Sequence, residues 1–124
     1  MLKVKNVSLS KKSNRILSGI SFEIPKRRIS LLLGKSGSGK TTLLRCISQL
    51  ESAYEGEIVW GDQELGELSA KERCQLVGFV PQSYALFPHK NVLDNCAHAL
   101  RAVFGKSKAE ADAKAEEVLR LHGP

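Results

Sequence analysis

An α/β fold built on a strand, a loop and a helix is what this sequence predicts, and three observations carry the prediction. Ile29-Ser30-Leu31-Leu32-Leu33 is a nearly continuous apolar run closed by a glycine, the pattern of a strand covered on both faces of a parallel sheet. From Lys40 the apolar residues Leu43, Leu44, Ile47 and Leu50 recur three or four apart, with Arg45, Ser48 and Gln49 on the other side, which reads as an amphipathic helix. Between the two lies a glycine-rich stretch, Gly34 to Gly39.

The remaining elements follow in order. Leu2, Val4, Val7 and Leu9, then Ile20, Phe22 and Ile24 alternating with Ser21 and Glu23, predict two early strands with one wet face, arranged as an antiparallel hairpin or meander and closed by Pro25. Glu57 to Trp60 and Leu76 to Val80 read as short strands, the second ended by Pro81. Between them Ser69 and Glu72 have capping-box spacing for a short helix. Val92, Leu93, Cys96, Ala97, Leu100, Val103 and Phe104 form a helical stripe that Gly105 stops. Ser107 and Glu110 repeat the capping box, and Ala111, Ala115, Val118 and Leu119 line one face of a last helix ending at Gly123-Pro124.

With 124 residues, 42% hydrophobic and 26% charged, the composition is that of one soluble globular domain and excludes disordered or collagen-like chains. No apolar run approaches the length of a membrane span, and the amino terminus begins at once in the strand pattern with no secretory leader, which predicts a cytosolic chain. A net charge of +6 favours anionic partners, but without interleaved aromatics nucleic acid is not expected among them. Cys46, Cys74 and Cys96 are odd in number, far apart and without a Cys-x-x-Cys pair, so they are expected to be buried, reduced thiols.

Gly34-Lys35-Ser36-Gly37-Ser38-Gly39-Lys40-Thr41 satisfies G-x-x-x-x-G-K-S/T, the P-loop, and it stands between the predicted strand and helix as the mechanism of phosphate binding demands. Gly34, Gly37 and Gly39 let the backbone bend and approach phosphate oxygens closely, so that successive N–H groups form an anion nest. The helix beginning near Lys40 aims its positive dipole end at the same phosphates, and the Lys40 ammonium reaches the β and γ oxygens. The Thr41 hydroxyl is placed to ligate Mg²⁺ and Thr42 to meet the α-phosphate. These residues predict binding of a magnesium nucleoside triphosphate.

Gly34 to Glu51, together with Val80-Pro81-Gln82 and Leu86-Phe87-Pro88-His89, closely resembles the ATP-binding subunit of ABC transporters, and the resemblance covers the whole chain. Ile16 to Phe22 looks like the strand that precedes the P-loop in that family, and Gly56-Glu57-Ile58 like the strand after the P-loop helix. The resemblance implies an ABC-type nucleotide-binding domain of the P-loop NTPase class, truncated, with an amino-terminal antiparallel part and the start of a helical subdomain. Residues 1–82 would form the β part and P-loop core, and residues 83–124 the Q-loop and the beginning of the helical subdomain. It implies ATP and Mg²⁺ as cofactors, Lys40 and Gln82 as catalytic residues, and Gln82 beside Thr41 at the metal. Its partners would be transmembrane permease subunits, a second nucleotide-binding subunit in a homodimer and, indirectly, an extracytoplasmic solute-binding protein, with the chain peripheral on the inner face of the cell membrane. Tyr84 to Asn91 would face the permease. The L-L-R-C-I-x-x-L-E and L-F-P-H-x-x-V-L-D-N segments look most like importers of polar amino acids.

Two positions depart from the family pattern. Lys11 stands where an aromatic residue usually stacks on adenine, and Arg27-Arg28 where Gly-Glu is usual. The chain also lacks the L-S-G-G-Q signature, the Walker B strand ending in Asp-Glu and the switch histidine, a role that His89, His98 and His122 do not fit. The expectation is therefore an amino-terminal portion of a subunit, inactive alone, with an unprotected apolar edge at Ile29–Leu33 and marginal stability. The alternative expectation is a non-hydrolysing remnant that binds nucleotide weakly or not at all.

Overall fold

The computed structural model describes residues 1–123 and divides into two compact units, one spanning Met1–Arg73 and one beginning at Cys74. The first unit is built on an antiparallel sheet. Strand β1 (Leu2–Lys11) lies between β2 (Asn14–Ile24) and β3 (Glu55–Trp60), and the short β4 (Gln63–Glu64) completes the order β2-β1-β3-β4. The two expected early strands pair as a hairpin, turning at Lys12 and Ser13, both of which take the positive φ that a tight hairpin turn requires.

Leu2, Val4, Val7 and Leu9 are all buried, although the step from Val4 to Val7 breaks the two-residue period of a strand. The backbone resolves the conflict with a bulge. Asn6 has φ 51°, and the register of β1 shifts there against both β2 and β3. Ser21 holds the irregularity, its hydroxyl accepting from Asn6 N–H at 2.9 Å and donating to Asn6 Oδ1 at 3.3 Å. On β3, Gly56 passes so close that an added Cβ would lie 2.5 Å from the Lys5 carbonyl oxygen and in collision with that of Asn6. Only glycine allows this approach.

Helix α1 (Lys40–Ile47) buries Leu43 and Cys46 and leaves Leu44 exposed, and Leu50 is exposed beyond the helix end, where the chain turns through Gln49 at φ 62°. Gln49 closes the turn by donating to the Cys46 carbonyl at 2.9 Å and the Tyr54 hydroxyl at 2.7 Å. Two sequence expectations fail here and nearby. Ile29–Leu33 forms no strand: Ile29 is 96% and Leu33 85% exposed, since no strand of the sheet runs alongside to supply a ladder. Leu76–Val80 is not a strand either. Leu76 ends helix α2 (Ala70–Leu76), whose Ser69–Glu72 capping box forms as expected, and residues 77–81 are irregular with Val80 exposed. Both segments have strand-forming residues but no neighbour to pair with.

In the second unit α3 (Val92–Ala102) and α4 (Lys108–His122) pack on Ala97, Ala111 and Ala115, flanked by Leu93 and Leu100. Gly105, at φ 66°, lies in the connection between them, and Ser107 caps α4 by accepting from Glu110 N–H. Val118 is exposed rather than packed, because so small an alanine core is closed before the last turns of α4. The predicted stop at Pro124 lies outside the described residues. The expectation of three buried thiols is corrected as well: only Cys46 is buried, whereas Cys74 and Cys96 fall on outward faces of α2 and α3. No helix among the described residues is long and apolar enough to cross a membrane.

Candidate functional site

The glycine-rich loop takes the conformation its composition allows. Ser38 N–H bonds the Lys35 carbonyl at 3.1 Å, Gly37 has φ 81°, and Gly39 has φ 95° and caps α1. A Cβ on Gly39 would meet Leu17 Cδ2 at 3.1 Å and the Ile16 carbonyl oxygen at 3.2 Å, so β2 and the loop touch through this glycine. A Cβ on Gly34 would stand 2.8 Å from Ser38 Oγ. No side chain caps α1 and no acidic residue occupies its first turn, which leaves the N–H groups of Lys40, Thr41 and Thr42 and the positive end of the helix dipole without an internal anion. The Lys40 ammonium bonds back to the Gly34 carbonyl, which draws the ends of the loop together.

This arrangement fits a polyphosphate. Gly34, Lys35, Ser36, Gly37 and Ser38 are exposed, as is Thr41, while Gly39, Lys40 and Thr42 are half-buried. Beside the loop an open cleft of about 250 Å³ is lined by Leu17, Phe22, Leu33, Gly34, Gly39 and Lys40. Thr41 supplies an oxygen of the kind that magnesium selects. No cluster of three or more His, Cys, Asp or Glu suited to a metal occurs among the described residues.

Lys11 is engaged elsewhere in the first unit: its ammonium lies 2.7 Å from a Glu51 carboxylate oxygen. Sequence reasoning did not single out Glu51 individually, although it ends the segment that carries the resemblance. The hydrogen bond from Lys11 and a weaker one from Ala53 N–H hold its carboxyl below the usual range. Arg27, at φ 56°, sits in the turn after β2.

Gln82 belongs to the second unit, exposed in the irregular segment after Pro81. Tyr84 and Ala85 both take left-handed angles, φ 65° and 48°, and Tyr84 and Leu86 are 76% and 70% exposed. Phe87 turns back toward α3, its ring edge-on to His98 at 4.7 Å and to His89 at 5.9 Å, with the Lys90 ammonium 5.2 Å from the ring centre. The Lys90 ammonium also lies 3.2 Å from His98 Nδ1. Asn95 carries this loop on its side chain and was missed as a separate residue; its signal is its position four after the helix cap Asn91.

The family model described as ABC transporter matches residues 17–123. A sulfate/thiosulfate import ATP-binding protein of Bacillus cereus is 42% identical over 120 residues, covering 97% of this chain and 33% of that protein. A "probable amino-acid ABC transporter ATP-binding protein" of Haemophilus influenzae is 37% identical over 134 residues, covering 99% of this chain and 51% of its own length. A methionine import ATP-binding protein of Campylobacter jejuni is 38% identical over 117 residues, 90% of this chain and 35% of that one. Among solved structures, an ATP-binding cassette determined as a dimer in a post-hydrolysis state with ADP and Pi bound superposes with TM-score 0.82 at 28% identity, over 98% of this chain and 56% of the other. The chain thus spans a third to a half of the length of these curated relatives.

Proposed function

The chain belongs to the ABC transporter family, and from that premise we propose that it binds Mg-ATP through residues 34–42 as part of an importer's ATP-binding subunit. The observation that carries the reading is the glycine loop at the uncapped amino end of α1, with Lys40 at the junction. Gly34 to Gly39 would wrap the β-phosphate with backbone N–H groups, the Lys40 ammonium would exchange the Gly34 carbonyl for β and γ oxygens, and Thr42 would meet the α-phosphate. Thr41 would hold Mg²⁺, which supplies charge neutralisation across the phosphates when bound, and the part of Gln82 as the Q-loop glutamine rests on the family resemblance alone. Lys11 flanks the nucleotide in this reading as an ion-paired cation rather than a stacking ring.

Phosphoryl transfer also needs an oriented water and a facing signature segment, which these 124 residues do not provide. The chain by itself therefore binds without turnover, and hydrolysis belongs to an assembly with a second nucleotide-binding subunit. Permease subunits would dock on Tyr84–Asn91 at the inner membrane face, with a solute-binding protein acting from the far side. The L-L-R-C-I-x-x-L-E and L-F-P-H-x-x-V-L-D-N segments and the amino-acid relative support a polar amino acid as the solute, whereas the methionine relative supports an apolar one. The 42% identical sulfate/thiosulfate relative supports a second reading, an inorganic anion. Uptake of labelled amino acids and labelled sulfate by host cells lacking the gene separates the two.

Titration calorimetry of Mg-ATP into the chain and into Lys40→Ala, with phosphate release followed on the same samples, tests the central claim. Binding that the substitution abolishes, without turnover, is expected. Equal heats from both proteins would refute the assigned site.

A further inference from the structure

The turn at Phe87–Lys90 is held by one side chain. Asn95 Oδ1 accepts from Phe87 N–H at 2.8 Å, while its Nδ2 donates to the carbonyls of Phe87 at 3.2 Å, Lys90 at 3.0 Å and Asn91 at 2.9 Å. Within the turn the backbone makes a single bond of its own, Lys90 N–H to the Phe87 carbonyl at 3.2 Å. The carboxamide thus supplies both the donor and the acceptor the turn lacks, a combination that neither a carboxylate nor an aliphatic side chain offers. The Phe87 ring against His98 adds a second fastening on the same helix. Leu86, directly before the fastened turn, is 70% exposed.

We propose that Asn95 is a positioning residue, whose carboxamide fixes the Phe87–Lys90 turn on α3 and thereby presents Leu86 as a preformed apolar contact for a permease segment. The inference rests on the reading that Tyr84–Asn91 faces the permease. A loop ordered before association spares the complex the entropy of ordering it, so the fastening raises affinity without Asn95 touching the partner.

Two measurements separate the fastening from the docking. Amide exchange of the full chain, followed by NMR, is expected to show Phe87 exchanging at least about tenfold faster in Asn95→Ala, with Ala111 and Ala115 unchanged. Asn95→Asp keeps the acceptor but loses the donors, and should release the Lys90 side of the turn even if the alanine variant fails to fold. Unchanged Phe87 protection in Asn95→Ala, or an unchanged turn in Asn95→Asp, would overturn the proposal. In host cells, a photo-crosslinking residue at position 86 should capture a multi-span membrane subunit, identified by mass spectrometry, and the yield should fall severalfold when Asn95→Ala is added. Equal yield with and without that substitution would overturn the proposal. Capture of no membrane subunit by the otherwise unaltered chain would refute the permease reading, whatever the exchange data show.

Discussion

Lys11 Nζ lies 2.7 Å from a Glu51 carboxylate oxygen, so the tip of the β1–β2 hairpin is tied to the turn that follows α1. The hydrogen bond from Lys11 is the main cause of the lowered Glu51 pKa, and Ala53 N–H adds to it. A carboxyl whose folded pKa lies below its unfolded one takes up protons more readily when unfolded. Its stabilisation is complete above the unfolded value and is lost as pH falls through the folded one. Carboxyl titration by NMR should place Glu51 below the ordinary glutamate range, and Lys11→Ala should move it back up. An unmoved midpoint would mean that the pair does not persist in solution.

Gly56→Ala is expected to cost about 2–4 kcal/mol, since its Cβ meets backbone oxygen rather than a side chain that can turn away. For a domain of this size that is a fall in Tm of roughly 10 °C or more. Gly61→Ala is the control: φ is also positive, 60°, but nothing lies within 4 Å, so the cost is confined to about 1 kcal/mol of backbone strain. Equal losses by thermal denaturation would mean that β3 does not make its close approach to the Asn6 bulge.

The three thiols should divide by accessibility. Cys46 is fully buried, and burial, with the Glu51 charge as a smaller cause, pushes its thiol pKa up, so it is both unreachable and poor in thiolate. Cys74 and Cys96 are exposed. A chromogenic disulfide reagent should titrate two thiols rapidly in the native chain and the third only after denaturation. Rapid release of three would place Cys46 in an opened core.

Ile29, Leu31 and Leu33 offer an apolar edge to any neighbour. Leu31→Lys should lower self-association measured by light scattering and leave Tm within about 2 °C, because the side chain is already 82% exposed. A large loss of Tm would show that the segment is packed in solution.

Local rules made much of this molecule legible. The capping box at Ser69, the serine cap at Ser107, the glycine stop at residue 105 and the bend of the glycine-rich loop depend on neighbours within a turn, and each forms where its residues stand. Ile29–Leu33 and Leu76–Val80 failed for the opposite reason. A strand is a property of two chains side by side, and no alternation of residues can say whether the second is present. The bulge at Asn6 was written in the three-residue step from Val4 to Val7, which a simple alternating reading passes over. Asn95 and Glu51 act through bonds to backbone or to a distant lysine, and residue type alone does not distinguish them from solvated polar residues.

The sheet order also implies an expected sequence of assembly. β1 and β2 meet across a two-residue turn, a fast and local event, whereas β3 reaches β1 only by bringing Trp60 to Leu2. Everything from Pro25 to Tyr54, the phosphate loop and α1 included, is the loop that this second pairing must close. Its closure entropy falls on the segment that carries residues 34–42. A polyanion that ordered residues 34–42 would shorten the free part of that loop, and so would act on the rate at which the sheet is completed as well as on the finished fold.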